Sequence, residues 1–221
     1  MEGVKTLLID VDGTLIDSYP GIRASFLHAL DAMGHPRPGE EVLSRIAGPP
    51  MELTMRSIGM TPEEAREGVR VYLRHYGEGS WANAEPYPGM RELLARWREK
   101  GYRVCTATSK GEHFARKSLE RYGMYDSIDF LGAAEENGPR RSKESVIAYV
   151  LDSLDLRGTE SDILMIGDRI HDFDGAATFG IDAVACAWGY GDAEEHAKAR
   201  WTATSTRHLE DIVDEWNEQS Q

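Results

Sequence analysis

Leu7-Leu8-Ile9-Asp10-Val11-Asp12-Gly13-Thr14-Leu15 is the stretch on which the fold turns. An apolar run over residues 4–9 ends abruptly in two acids and a glycine. Near-continuous Val, Ile and Leu suits a strand buried on both faces of a parallel sheet. In extended chain, side chains two apart point the same way, so Asp10 and Asp12 share one mouth at the strand's carboxyl end. Open α/β sheets bind ligands at that edge. Two acids this close repel each other, and a divalent cation relieves the repulsion. Carboxylates and backbone oxygens are hard donors that suit Mg2+. Gly13 lets the chain turn away tightly. Alone, Asp-x-Asp-Gly equally describes an acidic turn, since turns favour both residues; the decision rests on what surrounds it.

Four more short apolar runs follow, over residues 103–108, 128–132, 162–166 and 183–187. Helical patterns lie between the later ones, over 89–100, 112–122, 143–154 and 172–179. This alternation predicts a Rossmann-like, doubly wound parallel sheet of the α/β class. Residues 17–84 break it. They read as helices only, over 19–33, 40–46, 51–58 and 61–76. Thr61-Pro62-Glu63-Glu64 is a strong helix start, with a capping residue, Pro at the first helical position and acids in the first turn. The expected organisation is an α/β core over 1–16 and 85–221, with an inserted helical cap over 17–84. Residues 205–221 read as a final helix.

Composition narrows the partners. Among 221 residues, 25 Lys and Arg stand against 38 Asp and Glu, a net charge of −13. Such a chain repels a nucleic acid backbone and offers no polybasic stretch to anionic lipid. Cys105 and Cys186 sit inside apolar runs and read as buried thiols, too few for a disulfide framework or a zinc site. The opening residues lack a positive stretch followed by an apolar one, and no run reaches membrane-spanning length. We therefore expect a cytoplasmic protein, monomeric or homodimeric, acting on a small molecule.

Three further pieces carry chemistry. The 103–108 run closes in Thr108-Ser109-Lys110, whose hydroxyls can donate to phosphate oxygens. Lys143 follows in Gly138-Pro139-Arg140-Arg141-Ser142-Lys143, where charge alone makes both arginines equal candidates for a phosphate. The 162–166 run then delivers Gly167-Asp168-Arg169-Ile170-His171-Asp172, with Asp168 as a candidate metal ligand and Asp172 as support behind it. His171 fits a solvent-facing position at the start of the next helix.

In this order, Asp-x-Asp-Gly-Thr, Thr-Ser, Lys and Gly-Asp-x-x-x-Asp closely resemble the four motifs of haloacid-dehalogenase-like phosphatases. Gly48-Pro49-Pro50-Met51, Pro86-Tyr87-Pro88-Gly89 and the Gly167–Asp172 stretch are similar to the phosphoglycolate-phosphatase and 5′-nucleotidase-like branch. The resemblance spans the whole chain. It implies Asp10 as nucleophile forming an aspartyl-phosphate, and Asp12 as general acid and then base, its backbone carbonyl a metal ligand. It also implies Thr108 as the hydroxyl of the second motif, Lys143 as the lysine of the third, Asp168 as metal ligand and Asp172 as the second acid of the fourth. Mg2+ is the implied cofactor, held by Asp10, Asp12 and Asp168. Gly13, Thr108, Ser109 and Lys143 fall around the phosphate. Arg45, the only charged residue in the 45–51 stretch, is our candidate for meeting an anionic leaving group.

A phosphonatase needs a cap lysine, and residues 17–84 contain none. A dehalogenase does not need the second acid, which is present as Asp12. A sugar-phosphate mutase uses the same core and stays open. A receiver domain of a signalling pathway lacks the helical insertion, and an inactive binding protein would not need every catalytic side chain. Phosphoglycolate and a nucleoside monophosphate both stay open as substrates.

Overall fold

The computed structural model describes residues 4–135 and 138–219. The eight strands are β1 (Thr6–Ile9), β2 (Ile16–Asp17), β3 (Glu85–Pro86), β4 (Arg103–Gly111), β5 (Phe130–Ala134), β6 (Ile163–Gly167), β7 (Asp182–Cys186) and β8 (Trp201–Ala203) among the described residues. The ten α-helices are α1 (Tyr19–Ala32), α2 (Glu40–Leu43), α3 (Met51–Ser57), α4 (Pro62–Gly77), α5 (Met90–Glu99), α6 (Glu112–Arg121), α7 (Lys143–Ser153), α8 (Ile170–Ala177), α9 (Ala193–His196) and α10 (Thr206–Gln219) among the described residues.

Six strands form one parallel sheet in the order β5-β4-β1-β6-β7-β8. The chain runs outward from β1 in both directions, so the switch of strand order falls at β1, where such sheets open a crevice for a ligand. Leu7 and Ile9 of β1 join one apolar core with Leu93 and Trp97 of α5 and Val213 of α10. Leu8 points the other way, into a second core with Ile147 and Val150 of α7 and Phe173 of α8. A strand covered on both faces needs an unbroken apolar run, and this is what the opening stretch supplies.

Helices α1 to α4 stand apart from the sheet and bury a third cluster, including Phe26, Leu30, Met55 and Tyr72, against one another. Thr61 caps the start of α4 as expected, and Glu64 returns the bond by accepting from the Thr61 amide. Where the chain leaves the sheet region and where it returns, β2 and β3 pair antiparallel, Asp17 against Glu85. No helix among the described residues is long and apolar enough to cross a membrane.

Several boundaries differ from expectation. Helix α2 stops at Leu43 rather than 46, and the next amides fold back by three residues, Arg45 N–H to Val42 O at 3.0 Å and Ile46 N–H to Leu43 O at 3.4 Å. Strand β4 continues to Gly111 with a break in register between Thr108 and Gly111. Strand β8, three residues on the sheet edge, carries too little alternation to be read in advance. The expected tail helix is α10; residues 220 and 221 lie outside the described residues.

Candidate active site

Asp10 is the first residue beyond β1, its N–H held by Ile166 O at 2.9 Å and its side chain buried. Lys143 begins α7 and reaches inward. Its Nζ donates to Ala107 O at 2.6 Å and lies 3.0 Å from Asp10 Oδ1 and 2.6 Å from Asp172 Oδ1. Neither of those carboxylate oxygens receives a hydrogen bond in the proper direction; these are ion pairs held by charge. Burial drives the Asp10 carboxyl up to about 6; Lys143 and the Thr108 hydroxyl oppose the rise, and Asp172 and Asp12 add to it. Burial alone would lower the Lys143 pKa, but Asp10 and Asp172 outweigh it and hold the ammonium charged.

Asp168 follows β6. Its Oδ1 accepts from Thr14 Oγ1 at 3.3 Å and its Oδ2 from the Tyr190 amide at 2.7 Å. Burial raises its pKa, and Asp172 and Asp10 raise it further. Asp172 Oδ2 accepts from the amides of Asp168 and Arg169 at 3.1 and 3.0 Å, which pins the turn into α8. Gly13 is obligatory here: its φ is +86°, and a Cβ would stand 2.2 Å from Asp168 Oδ2. His171 is exposed, as its position suggested.

Asp10, Asp168 and Asp172 each offer a carboxylate oxygen, all within 4.8 Å of one another. Three buried acids with one lysine among them are under-neutralised, and two of their oxygens lack hydrogen bonds. Hard oxygen donors in that condition fit Mg2+. The Asp12 carboxylate does not join this group. It turns instead to Lys110, whose Nζ lies 2.9 and 3.1 Å from its two oxygens, and to Ser18 Oγ at 2.6 Å.

Lys110 was not singled out from the sequence. It is carried inward by the extra length of β4, and also donates to the Tyr76 hydroxyl of α4 at 2.8 Å. One signal could have found it: Thr108 and Lys110 stand two apart at a strand end, as do Asp10 and Asp12. Tyr190 is a second omission. Its hydroxyl accepts from the amides of Ser18 and Tyr19 at 2.8 and 3.0 Å and donates to Asp17 at 2.9 Å, while its own amide holds Asp168.

Arg45 lies elsewhere than expected. It points outward and pairs with Asp192 at 3.0 Å, its side chain 65% exposed. The short α2 accounts for this, since ending at Leu43 leaves Arg45 in the following loop. The arginine that does hold this loop is Arg169, 4% exposed, donating to Ala47 O and paired with Glu195 at 2.8 Å.

Between Asp10 and Asp12 and the helical block lies a half-open cavity of about 130 Å³. Thr108, Ser109, Lys110, Glu135 and Arg141 border it from the sheet side. Ile22, Ile46, Val69, Tyr72, Leu73 and Tyr76 border it from the helical side.

Residues 7–186 match the family model described as haloacid dehalogenase-like hydrolase. A tyrosine-protein kinase, PtkA of Mycobacterium tuberculosis, is 40% identical over 87% of this chain. The chain spans 65% of the length of that relative. The solved PtkA structure superposes with a TM-score of 0.79 at 37% identity, covering 96% of this chain and 99% of the solved one. A 5′-nucleotidase of Pseudomonas aeruginosa is 32% identical over 86% of this chain and 85% of its own. The structure of a predicted phosphatase from Clostridium acetobutylicum matches with a TM-score of 0.90 at 27% identity, covering 97% of this chain and all (100%) of that one.

Proposed function

The chain belongs to the haloacid dehalogenase-like hydrolase family, and on that premise we propose that it is a Mg2+-dependent phosphatase hydrolysing small phosphate monoesters. One observation carries the reading. Asp10, whose Oδ1 is held only by the charge of Lys143 at 3.0 Å, lines a cavity that Asp12, Thr108 and Ser109 also line.

Phosphoryl transfer asks for in-line placement and charge neutralisation. In the first step an Asp10 oxygen bonds to phosphorus as the bond to the leaving oxygen breaks, and Asp12 gives that oxygen its proton. In the second, Asp12 takes a proton from water, whose oxygen bonds to phosphorus as the Asp10 bond breaks. Asp10 and inorganic phosphate are released. Splitting the reaction this way replaces one hard step by two easier ones, and proton transfer from a placed acid is worth roughly 10²–10⁴-fold. Thr108 and Ser109 donate to the phosphate oxygens beside the turn at Gly13, and Lys143 balances their charge. Asp10 and Asp168 would hold the metal together with the Asp12 backbone carbonyl, and Asp172 would keep Asp168 and Lys143 in place. When bound, the ion supplies positive charge against the phosphate and the acids. Residues 17–84 serve as a cap closing over the sheet edge, pivoting near 17–20 and 84–89, beside the paired β2 and β3.

A second reading is favoured by the 40% identity to PtkA: the same aspartyl-phosphate could pass its phosphoryl group to a tyrosine hydroxyl instead of water. One set of assays separates the two. Phosphate release from a panel of phosphorylated metabolites is expected to stop in chelator and return with Mg2+, and Mg2+ is expected to raise the melting temperature. Asp10→Asn should keep its circular dichroism spectrum and lose turnover to background. Activity in a well-folded Asp10→Asn protein, or full activity in chelator, would overturn the mechanism. Phosphotyrosine formed on a peptide from ATP, without phosphate release from metabolites, would favour the second reading.

A further inference from the structure

The helical side of the cavity contributes Ile22, Ile46, Val69, Tyr72, Leu73 and Tyr76, with the 47–51 loop beside them. Among the described residues, no charged side chain borders the cavity from that side. Among the described residues, the charged groups lining it, Asp10, Asp12, Lys110, Glu135 and Arg141, come from the sheet side. Lys110 is already committed to Asp12 and Tyr76. Arg45, the one charge the loop could have offered, is turned out to Asp192.

The neutral side is also aromatic. The Tyr72 and Tyr76 rings stack with centroids 5.5 Å apart, and Phe114 meets Tyr76 edge-on at 5.0 Å. An aromatic lining of this kind suits another ring.

Nucleophilic attack is in line, so the leaving group must project from the phosphate away from Asp10 and toward the helical side. A carboxylate turned toward the helical side would lose its hydration and meet no cation on that side, a heavy penalty for a charged group. We propose that the leaving group is an uncharged, mainly apolar alcohol that carries a ring. This deepens the phosphatase reading and rests on it, but it removes phosphoglycolate from the preferred substrates.

Binding tests this separately from turnover. Benzylphosphonate and carboxymethylphosphonate carry the same phosphonate and resist hydrolysis. Calorimetry on the Mg2+-loaded full chain is expected to show benzylphosphonate binding roughly 10- to 100-fold more tightly, the range a small apolar group earns in a matched pocket. Equal affinity, or tighter binding of the carboxylated compound, would overturn the proposal. Leu73→Arg places a cation on the neutral side and should narrow the preference at least about tenfold, mainly by improving the carboxylated ligand. Should that variant fold poorly, the wild-type ratio alone decides. A clear preference for benzylphosphonate with no phosphate release from benzyl phosphate would sink the phosphatase reading while leaving the pocket's preference standing.

Discussion

The two sides of the cavity above Asp10 are built on opposite principles. The sheet side is dense with charge: Asp10, Lys143, Asp168 and Asp172 are each no more than 5% exposed, and Lys143 bridges two of the acids. The helical side is neutral, aromatic and aliphatic. Buried charges cannot be displaced cheaply, because each depends on its neighbour for the solvation it has lost. Apolar contacts are nearly interchangeable at equal volume. The difference teaches where chemistry and selectivity sit. On the proposed reading, the reaction belongs to the strand ends, and the choice of leaving group to helices that can be repacked without touching it.

The largest expected effect strikes the charged side. Lys143→Met removes the one cation between Asp10 and Asp172. Turnover should fall by at least about 100-fold, as when a preorganised charge is taken from a transition state. Metal-free protein should also lose about 3–5 kcal/mol of stability, the cost of leaving buried charge unpaired. Denaturant melts with and without Mg2+ read both. If the variant is as stable as its parent and turns over normally, the contrast between the two sides fails.

An intermediate effect belongs to a link between them. Lys110 joins the Asp12 carboxylate to the Tyr76 hydroxyl of α4. Lys110→Met should cut kcat by roughly 10- to 100-fold through misplacement of Asp12, with little change in KM. The loss should be smaller for p-nitrophenyl phosphate, whose leaving oxygen scarcely needs the proton Asp12 provides. Tyr76→Phe, which leaves the ion pair intact, should cost less. Equal losses on p-nitrophenyl and alkyl phosphates would show that Lys110 supports structure and not proton delivery.

Legibility in the sequence divides along the same line. β1 and β6 are apolar runs that end in acids, and a period of two then aims those acids at one edge; the grouping of Asp10 and Asp168 follows from that alone. Lys143 could be placed only through the family resemblance, because Arg140 and Arg141 carry the same charge a few residues away. Arg140 in fact spends itself on Ala133 O and Glu112, a tertiary fact that composition does not encode. Lys110 was hidden by the register break in β4. The helical side was hidden more deeply still. Helices 19–33 and 61–76 are plain in the apolar pattern, but which of their residues face the sheet depends on how the block is set down upon it.

The smallest expected effect concerns Arg45, and it sharpens the comparison most. Arg45 and Arg169 both tie the 45–50 loop to the sheet side. Arg169 does so from a buried position, with Glu195 accepting from its guanidinium and from the Ile170 amide. Arg45 does so across solvent, on an ion pair whose partners are 65% and 45% exposed. Exposed pairs contribute about 0–1 kcal/mol and are screened by salt. Asp192 keeps its other work without Arg45, since its Oδ1 already caps α9 through the Glu194 and Glu195 amides at 3.0 Å. Arg45→Ala should therefore shift kcat/KM by no more than about twofold on any phosphate ester, carboxylated or neutral, as surface substitutions away from a site usually do. Steady-state kinetics on phosphoglycolate and benzyl phosphate would check it. A selective loss on phosphoglycolate would mean that Arg45 swings inward when substrate binds, and the helical side would then be charged at the moment that matters.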